Sequence, residues 1–168
     1  MSSYGEAPKG EALKAQFKAK KFGKYEFELY PELWEITEID EYYDGKEWNK
    51  TKFIERPDPS PPSESGIYMF VVAPHCGKLL DHSYIFYVGQ AVNLNVRYSQ
   101  YLKEKDCLCD NPREKVVNFL NHLQDFVFFY WTLVPASELD KAENLLKDNL
   151  TPPANTQKTL TGRLEEQN

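Results

Sequence analysis

Gly66-Ile67-Tyr68-Met69-Phe70-Val71-Val72-Ala73 and Tyr84-Ile85-Phe86-Tyr87-Val88-Gly89-Gln90-Ala91 are almost continuously apolar or aromatic, with turn residues on either side. Runs of this length and composition read as buried strands, and their closeness in the chain makes them one hairpin. The connection from Pro74 to Ser83 is polar, contains Gly77 and Lys78, and exceeds a tight turn, so it is expected to project as a surface loop. Downstream, Asn93 is a good cap for a helix from Leu94 to Lys105, and Asn111-Pro112 supplies a cap and a first-turn proline for a second. Val127 to Val134 reads as a third strand. Ser137-Glu138-Leu139-Asp140 has the pattern of a capping box opening a helix to about Asn149, which Pro152-Pro153 stops.

Upstream, Pro57 to Gly66 holds four prolines and three serines in ten residues, a composition that excludes helix and favours an extended linker. The expected organisation is an N-terminal extension at 1–57, a linker at 58–65 and a domain at 66–168. Within the extension, Lys9 to Lys21 suits a basic helix, while Tyr25 to Tyr30, Leu33 to Asp40 and Trp48 to Glu55 show partial alternation suited to short strands. So small a segment buries little by itself and is expected to pack on the following domain.

The 168 residues, 41% apolar and 27% charged, fit one ordinary domain with an appendage. No apolar run approaches the ~20 residues of a membrane helix, and Met1 to Lys20 lacks the apolar core of a signal peptide, so no membrane association and a cytoplasmic location are expected. Cys76, Cys107 and Cys109 are too few and odd in number for a disulfide framework. A zinc site joining them with His75 has the wrong spacing. The net charge of −6 argues against a general polyanion binder. The excess is local: residues 28–60 carry ten acids against four bases, whereas 1–27 carry six lysines and three glutamates.

Three features point to chemistry. Tyr68 and Tyr87 bracket the hairpin, as packing aromatics or as site residues with a hydroxyl to place. Arg97 falls beside the helical face of Leu94, Tyr98 and Tyr101, where its planar fork either covers an aromatic or aims at a phosphate. Glu143 sits at the edge of the stripe Leu139, Leu146 and Leu150, where a carboxylate needs a partner. That partner is either a neighbouring polar group or a divalent cation completed by water and phosphate oxygens.

Gly66-Ile67-Tyr68, Tyr87-Val88-Gly89, Arg97, Glu143-Asn144-Leu145-Leu146 and Pro153-Ala154-Asn155, in this order, resemble the GIY-YIG nucleases over roughly Ser65 to Thr156. The resemblance implies a compact α/β (α+β) domain with a three-stranded antiparallel sheet flanked by helices. It also implies metal-dependent hydrolysis of DNA phosphodiesters. Tyr68 would be general base or relay, which requires its proton to leave more easily than the ~10 of a free phenol. Tyr87 would position the scissile phosphate and Arg97 stabilise charge on it. Glu143 would hold Mg²⁺ or Mn²⁺, and Asn155 would orient these groups.

The chain departs from the family in three places. Its connection between the tyrosine motifs is long, as in the restriction branch. Tyr101 stands where many members have His, although the bacterial excision-repair nuclease also has Tyr there. Gln90 stands where that repair branch has Lys, and Lys78 could replace the missing cation. Gln90, Tyr101 and Lys78 are therefore the expected substrate-binding positions. A homodimer would be needed to cut both strands at once. The alternatives are a non-catalytic nucleic-acid-binding module on the same scaffold, and a protein-interaction domain using the acidic, aromatic segment Glu28 to Trp48.

Overall fold

The strand that opens the hairpin, β2 (Gly66–Val72), is buried along its whole length because it has a strand on either side and helices over both faces. In this computed structural model, residues 9–20, 23–35, 37–74 and 82–155 are described. They contain α1 (Lys9–Lys18), α2 (Pro31–Trp34), α3 (Thr37–Tyr43), β1 (Asn49–Lys52), β2, β3 (Tyr84–Ala91), α4 (Leu94–Lys105), α5 (Glu114–His122), β4 (Val127–Leu133) and α6 (Leu139–Leu150). No described helix is long and apolar enough to cross a membrane.

The fold is mixed α/β around an antiparallel sheet, but that sheet has four strands, not three, in the order β1-β4-β2-β3. The extra strand comes from the N-terminal extension, with Asn49 opposite Trp131 and Lys52 opposite Phe128. Its Thr51 is buried, as is Phe53 just beyond it. Main-chain pairing along the outer side of β4 satisfies groups that would otherwise be left at a sheet edge. Within Leu33 to Asp40, expected extended, Leu33 and Trp34 lie in α2 and residues 37–40 in α3 instead. Pro31 in the first turn of α2 has no N–H for a helix to miss there. Tyr25 to Tyr30 forms no strand, and Tyr25 docks edge-on against Phe86 with ring centres 4.9 Å apart.

The proline-rich segment is bound to its neighbours rather than free. The carbonyls of Pro62 and Glu64 accept the N–H groups of Asn95 and Leu94, and Ser65 bonds through both main chain and hydroxyl to Val134. Asn93 Oδ1 accepts from Val96 N at 2.9 Å, so three otherwise unpaired donors at the start of α4 find acceptors. The start of α6 differs from the expected capping box: a 3-10 turn, Ala136–Glu138, leads into the helix, and no side chain caps it.

The sheet separates two apolar layers. Tyr68, Phe70 and Val72 face α4 and α5 together with Phe86, Tyr98, Tyr101, Phe119 and Phe129. Ile67, Met69 and Val71 face α6 with Val88, Leu139, Ala142 and Leu146. The register of β2 and β3 shifts by one residue beside Phe70, which lets the adjacent Phe86 and Tyr87 pack against the same layer.

Candidate functional site

The two glycines of the hairpin motifs are required by what lies against them. A Cβ at Gly66 would strike the carbonyl oxygen of Thr132 on β4 and press on Leu94 of α4. Gly89 is paired with Tyr68 across the hairpin, and a Cβ there would fall on the Tyr68 phenol. The tyrosine of the first motif thus lies over the glycine of the second.

Around that overlap sits a cluster of three phenols. The ring centre of Tyr68 is 6.2 Å from that of Tyr87 and 5.7 Å from that of Tyr101, and Tyr87 and Tyr101 are 6.0 Å apart. The Tyr68 and Tyr101 hydroxyls are hydrogen-bonded at 2.9 Å, and the two residues are only 2% and 1% exposed. Burial pushes Tyr68 well above the ordinary phenol range, the neighbouring phenols Tyr101 and Tyr87 add to this, and Arg97 pulls the other way with less effect. Tyr101 is likewise raised, chiefly by burial. Burial and the bond to a second phenol thus favour the protonated form of Tyr68, against the easier proton loss that a general base requires. Arg97 is half-buried on α4 and forms no ion pair among the described residues.

Two residues of this cluster escaped the sequence reading. Arg113, immediately before α5, donates from Nη1 to the Tyr87 hydroxyl at 3.0 Å. Its Nε and Nη2 reach the Glu104 carboxylate at 2.9 and 2.8 Å. Glu104 continues the buried stripe Leu94, Tyr98, Tyr101 of α4, so the wheel argument that singled out Glu143 applies to it equally.

Glu143 lies on α6, on the other side of the sheet, with 15% of its side chain exposed. Its Oε2 accepts from Gln90 Nε2 at 3.0 Å, and Lys147 Nζ stands 3.7 Å from Oε1. The same Gln90 nitrogen donates to Asp140 Oδ1 at 2.6 Å, so two carboxylates one helical turn apart converge on one amide. Tyr43 of α3 feels Glu143 too: burial is the main reason its pKa is raised, with Tyr42 and Glu143 adding to it.

Asn155 ties the two halves to the strand between them. Its Oδ1 accepts from Val88 N and its Nδ2 donates to Val88 O, both at 2.8 Å, while Ala154 N bonds to Phe86 O at 2.9 Å. The chain reaches this position because α6 ends at Thr151, whose left-handed φ of 39° turns residues 152–155 back toward β3. Tyr68, Tyr87 and Tyr101 are thus brought together on one face, with Arg97 close enough to act on Tyr68. Gln90 and Glu143 are brought together on the other, and Asn155 braces β3 from its outer edge. Lys78, with His75 and Cys76, lies outside the described residues; Cys107 and Cys109 are free thiols. Among the described residues no group of three or more His, Cys, Asp or Glu side chains forms a ready-made metal cage.

No protein-family model matches the chain, and no curated protein matches it. Among solved structures it is similar to the GIY-YIG N-terminal endonuclease domain of UvrC from Thermotoga maritima, a point mutant bound to its catalytic divalent cation. The identity is 20% and the TM-score 0.39, over 57% of this chain and 88% of that one. So distant a likeness transfers no residue role.

Proposed function

We propose that this chain is a metal-dependent DNA endonuclease of the GIY-YIG type, acting in the cytoplasm. The observation that carries the reading is the interlock of its two motifs, Tyr68 seated over Gly89, with Tyr87, Tyr101 and Arg97 gathered around it. Across β3 from them, Glu143 and its neighbour Asp140 offer hard oxygen donors. That donor set fits Mg²⁺ or Mn²⁺, which is often held by one or two carboxylates and completed by water and phosphate oxygens. Bound there, on the face of the sheet opposite Tyr87, the ion would polarise a phosphate that reaches round the edge strand β3 and would stabilise the leaving 3′ oxygen.

The chain's own residues supply the rest. Arg97, without an ion-pair partner among the described residues, stabilises charge on the phosphate oxygens. Tyr87 donates its hydroxyl proton to the same group. Tyr68 takes the relay role of the two expected for it: it would gain a proton from the attacking water as it gives its own to Tyr101, which in turn gives one on through Tyr87 to the leaving 3′ oxygen. Gln90 holds the Glu143 carboxylate in place, and Asn155 keeps Tyr87 and Gly89 in register by holding Val88 between them. Two copies of the chain acting together would cut both strands of a duplex.

The test is cleavage of labelled supercoiled, linear and branched DNA with Mg²⁺ or Mn²⁺, beside Glu143→Gln and an EDTA control. Cutting by the wild type alone supports the reading. The second reading, a non-catalytic nucleic-acid-binding module, draws on the raised Tyr68 pKa. It predicts binding that ignores chelation and no cleavage at all.

A further inference from the structure

We infer that Arg113 is a second phosphate-binding arginine beside Tyr87, held at the site by Glu104; the inference rests on DNA being the ligand, as in the reading above. The starting point is a buried carboxylate. Only 11% of the Glu104 side chain is exposed, and a carboxylate withdrawn from water in the middle of an aromatic layer is costly unless it is paired and hydrogen-bonded. Arg113 meets that need three times over: through its main-chain N–H at 2.8 Å, its Nε at 2.9 Å and its Nη2 at 2.8 Å.

The arrangement exceeds what an ion pair alone would need. Some 45% of the Arg113 side chain stays exposed. Its guanidinium carbon lies 5.4 Å from the ring centre of Tyr87 and 5.1 Å from that of Tyr101, so the planar group is flanked by both phenols. Nη1 also donates to the Tyr87 hydroxyl at 3.0 Å. A guanidinium has five N–H donors, and with Glu104, Tyr87 and Tyr101 engaging four of them one remains to be offered. The Tyr87 oxygen, as acceptor, keeps its own O–H to donate. The result is a pre-oriented guanidinium N–H, permanently charged and partly open to solvent, beside the Tyr87 O–H proposed to touch the scissile phosphate. Such a pair of donors matches the oxygens of a phosphodiester, and its orientation is fixed before the ligand arrives.

An ion pair that merely ties α4 to α5 predicts a loss of stability when it is removed and nothing else. A phosphate contact predicts that binding also becomes less sensitive to salt. The experiment measures the affinity of a fluorescently labelled duplex in EDTA over a series of salt concentrations, together with kcat and KM for cleavage in Mg²⁺ or Mn²⁺. The proteins are the wild type, Arg113→Lys, and the double variant Arg113→Leu/Glu104→Leu, which leaves no unpaired buried charge. The double variant is expected to bind more weakly, with the slope of log affinity against log salt reduced by about 0.9, the value of one lost phosphate. Arg113→Lys keeps the charge and the slope but loses the two-point hold on Glu104, and kcat should fall about tenfold or more with little change in KM.

A folded double variant whose affinity and salt slope equal those of the wild type overturns the inference. If the double variant does not fold, Arg113→Lys decides, and an unchanged kcat overturns it. Failure of the two ideas can be told apart. Wild type that binds DNA with the steeper slope yet cuts nothing removes the endonuclease reading and leaves the Arg113 contact standing; wild type that binds no DNA removes both.

Discussion

The hydroxyl oxygens of Tyr68 and Tyr101 lie 2.9 Å apart, with both residues sealed from solvent, so each phenol is the hydrogen-bond partner of the other. Replacing Tyr101 with Phe removes one partner while keeping the ring, leaving the Tyr68 hydroxyl buried and unsatisfied. The expected cost is about 1–3 kcal/mol, read as a lower denaturation midpoint in urea. An unchanged midpoint would show that this pair holds no part of the core together.

Gly89 should tolerate no side chain while Tyr68 is present. Gly89→Ala drives a methyl group into the phenol ring and is expected to destabilise by about 1–3 kcal/mol. Tyr68→Val vacates the space, so the double variant should be less destabilised than the sum of the two single changes. Strict additivity in that cycle would sink the interlock argument.

Asn155→Leu strips Val88 of a donor and an acceptor at once. Each lost bond is worth about 1 kcal/mol net, more where the group stays buried. The local signature is faster hydrogen exchange at the Val88 amide. Asn155→Asp keeps the acceptor but turns a carboxylate oxygen toward the Val88 carbonyl, and should be worse at neutral pH than in acid, where the carboxyl is protonated. Equal stability of this variant at both pH values would argue against the amide brace.

Alkali should weaken the fold through its phenols. Burial raises Tyr98 to about 12 and holds Tyr68 and Tyr101 above the free phenol value. A group whose pKa is higher folded than unfolded contributes stability that is complete below the unfolded value, ~10, and is lost as pH climbs through the folded one. Melting temperature should therefore be insensitive to these residues below about pH 10 and decline above it, in step with phenolate absorbance. Phenolate that appears at ordinary phenol pH with no loss of melting temperature would count against their burial.

Periodicity and punctuation made most of the domain after residue 66 legible. The hairpin, the helix after Asn93, the strand from Val127 and the helix ended by Pro152-Pro153 all stand near their expected places. What failed was local. Alternation across Leu33 to Asp40 mimicked a strand because a short helix of mixed aromatics and acids has no strong period, and Pro31 outweighed it. The fourth strand was readable as a strand but not as part of the sheet, since pairing with β4 across about eighty residues leaves no mark in local sequence. At the site, Glu143 was found because a carboxylate interrupts an apolar stripe. Glu104 presents the same interruption, but its partner Arg113 lies in the extended connection just before α5, where no period predicts a direction. The burial that raises Tyr68 was hidden for a related reason: residue type shows that Arg97 is near, but only packing shows how completely water is excluded.

The two margins of the sheet are both made unwelcoming to another chain. On one side, β1 carries exposed Lys50 and Lys52, charges that discourage a neighbouring sheet from docking. On the other, the Asn155 amide occupies the Val88 donor and acceptor that a foreign strand would seek. A pair of these molecules should therefore meet through helical faces and side chains, not by merging their sheets into one.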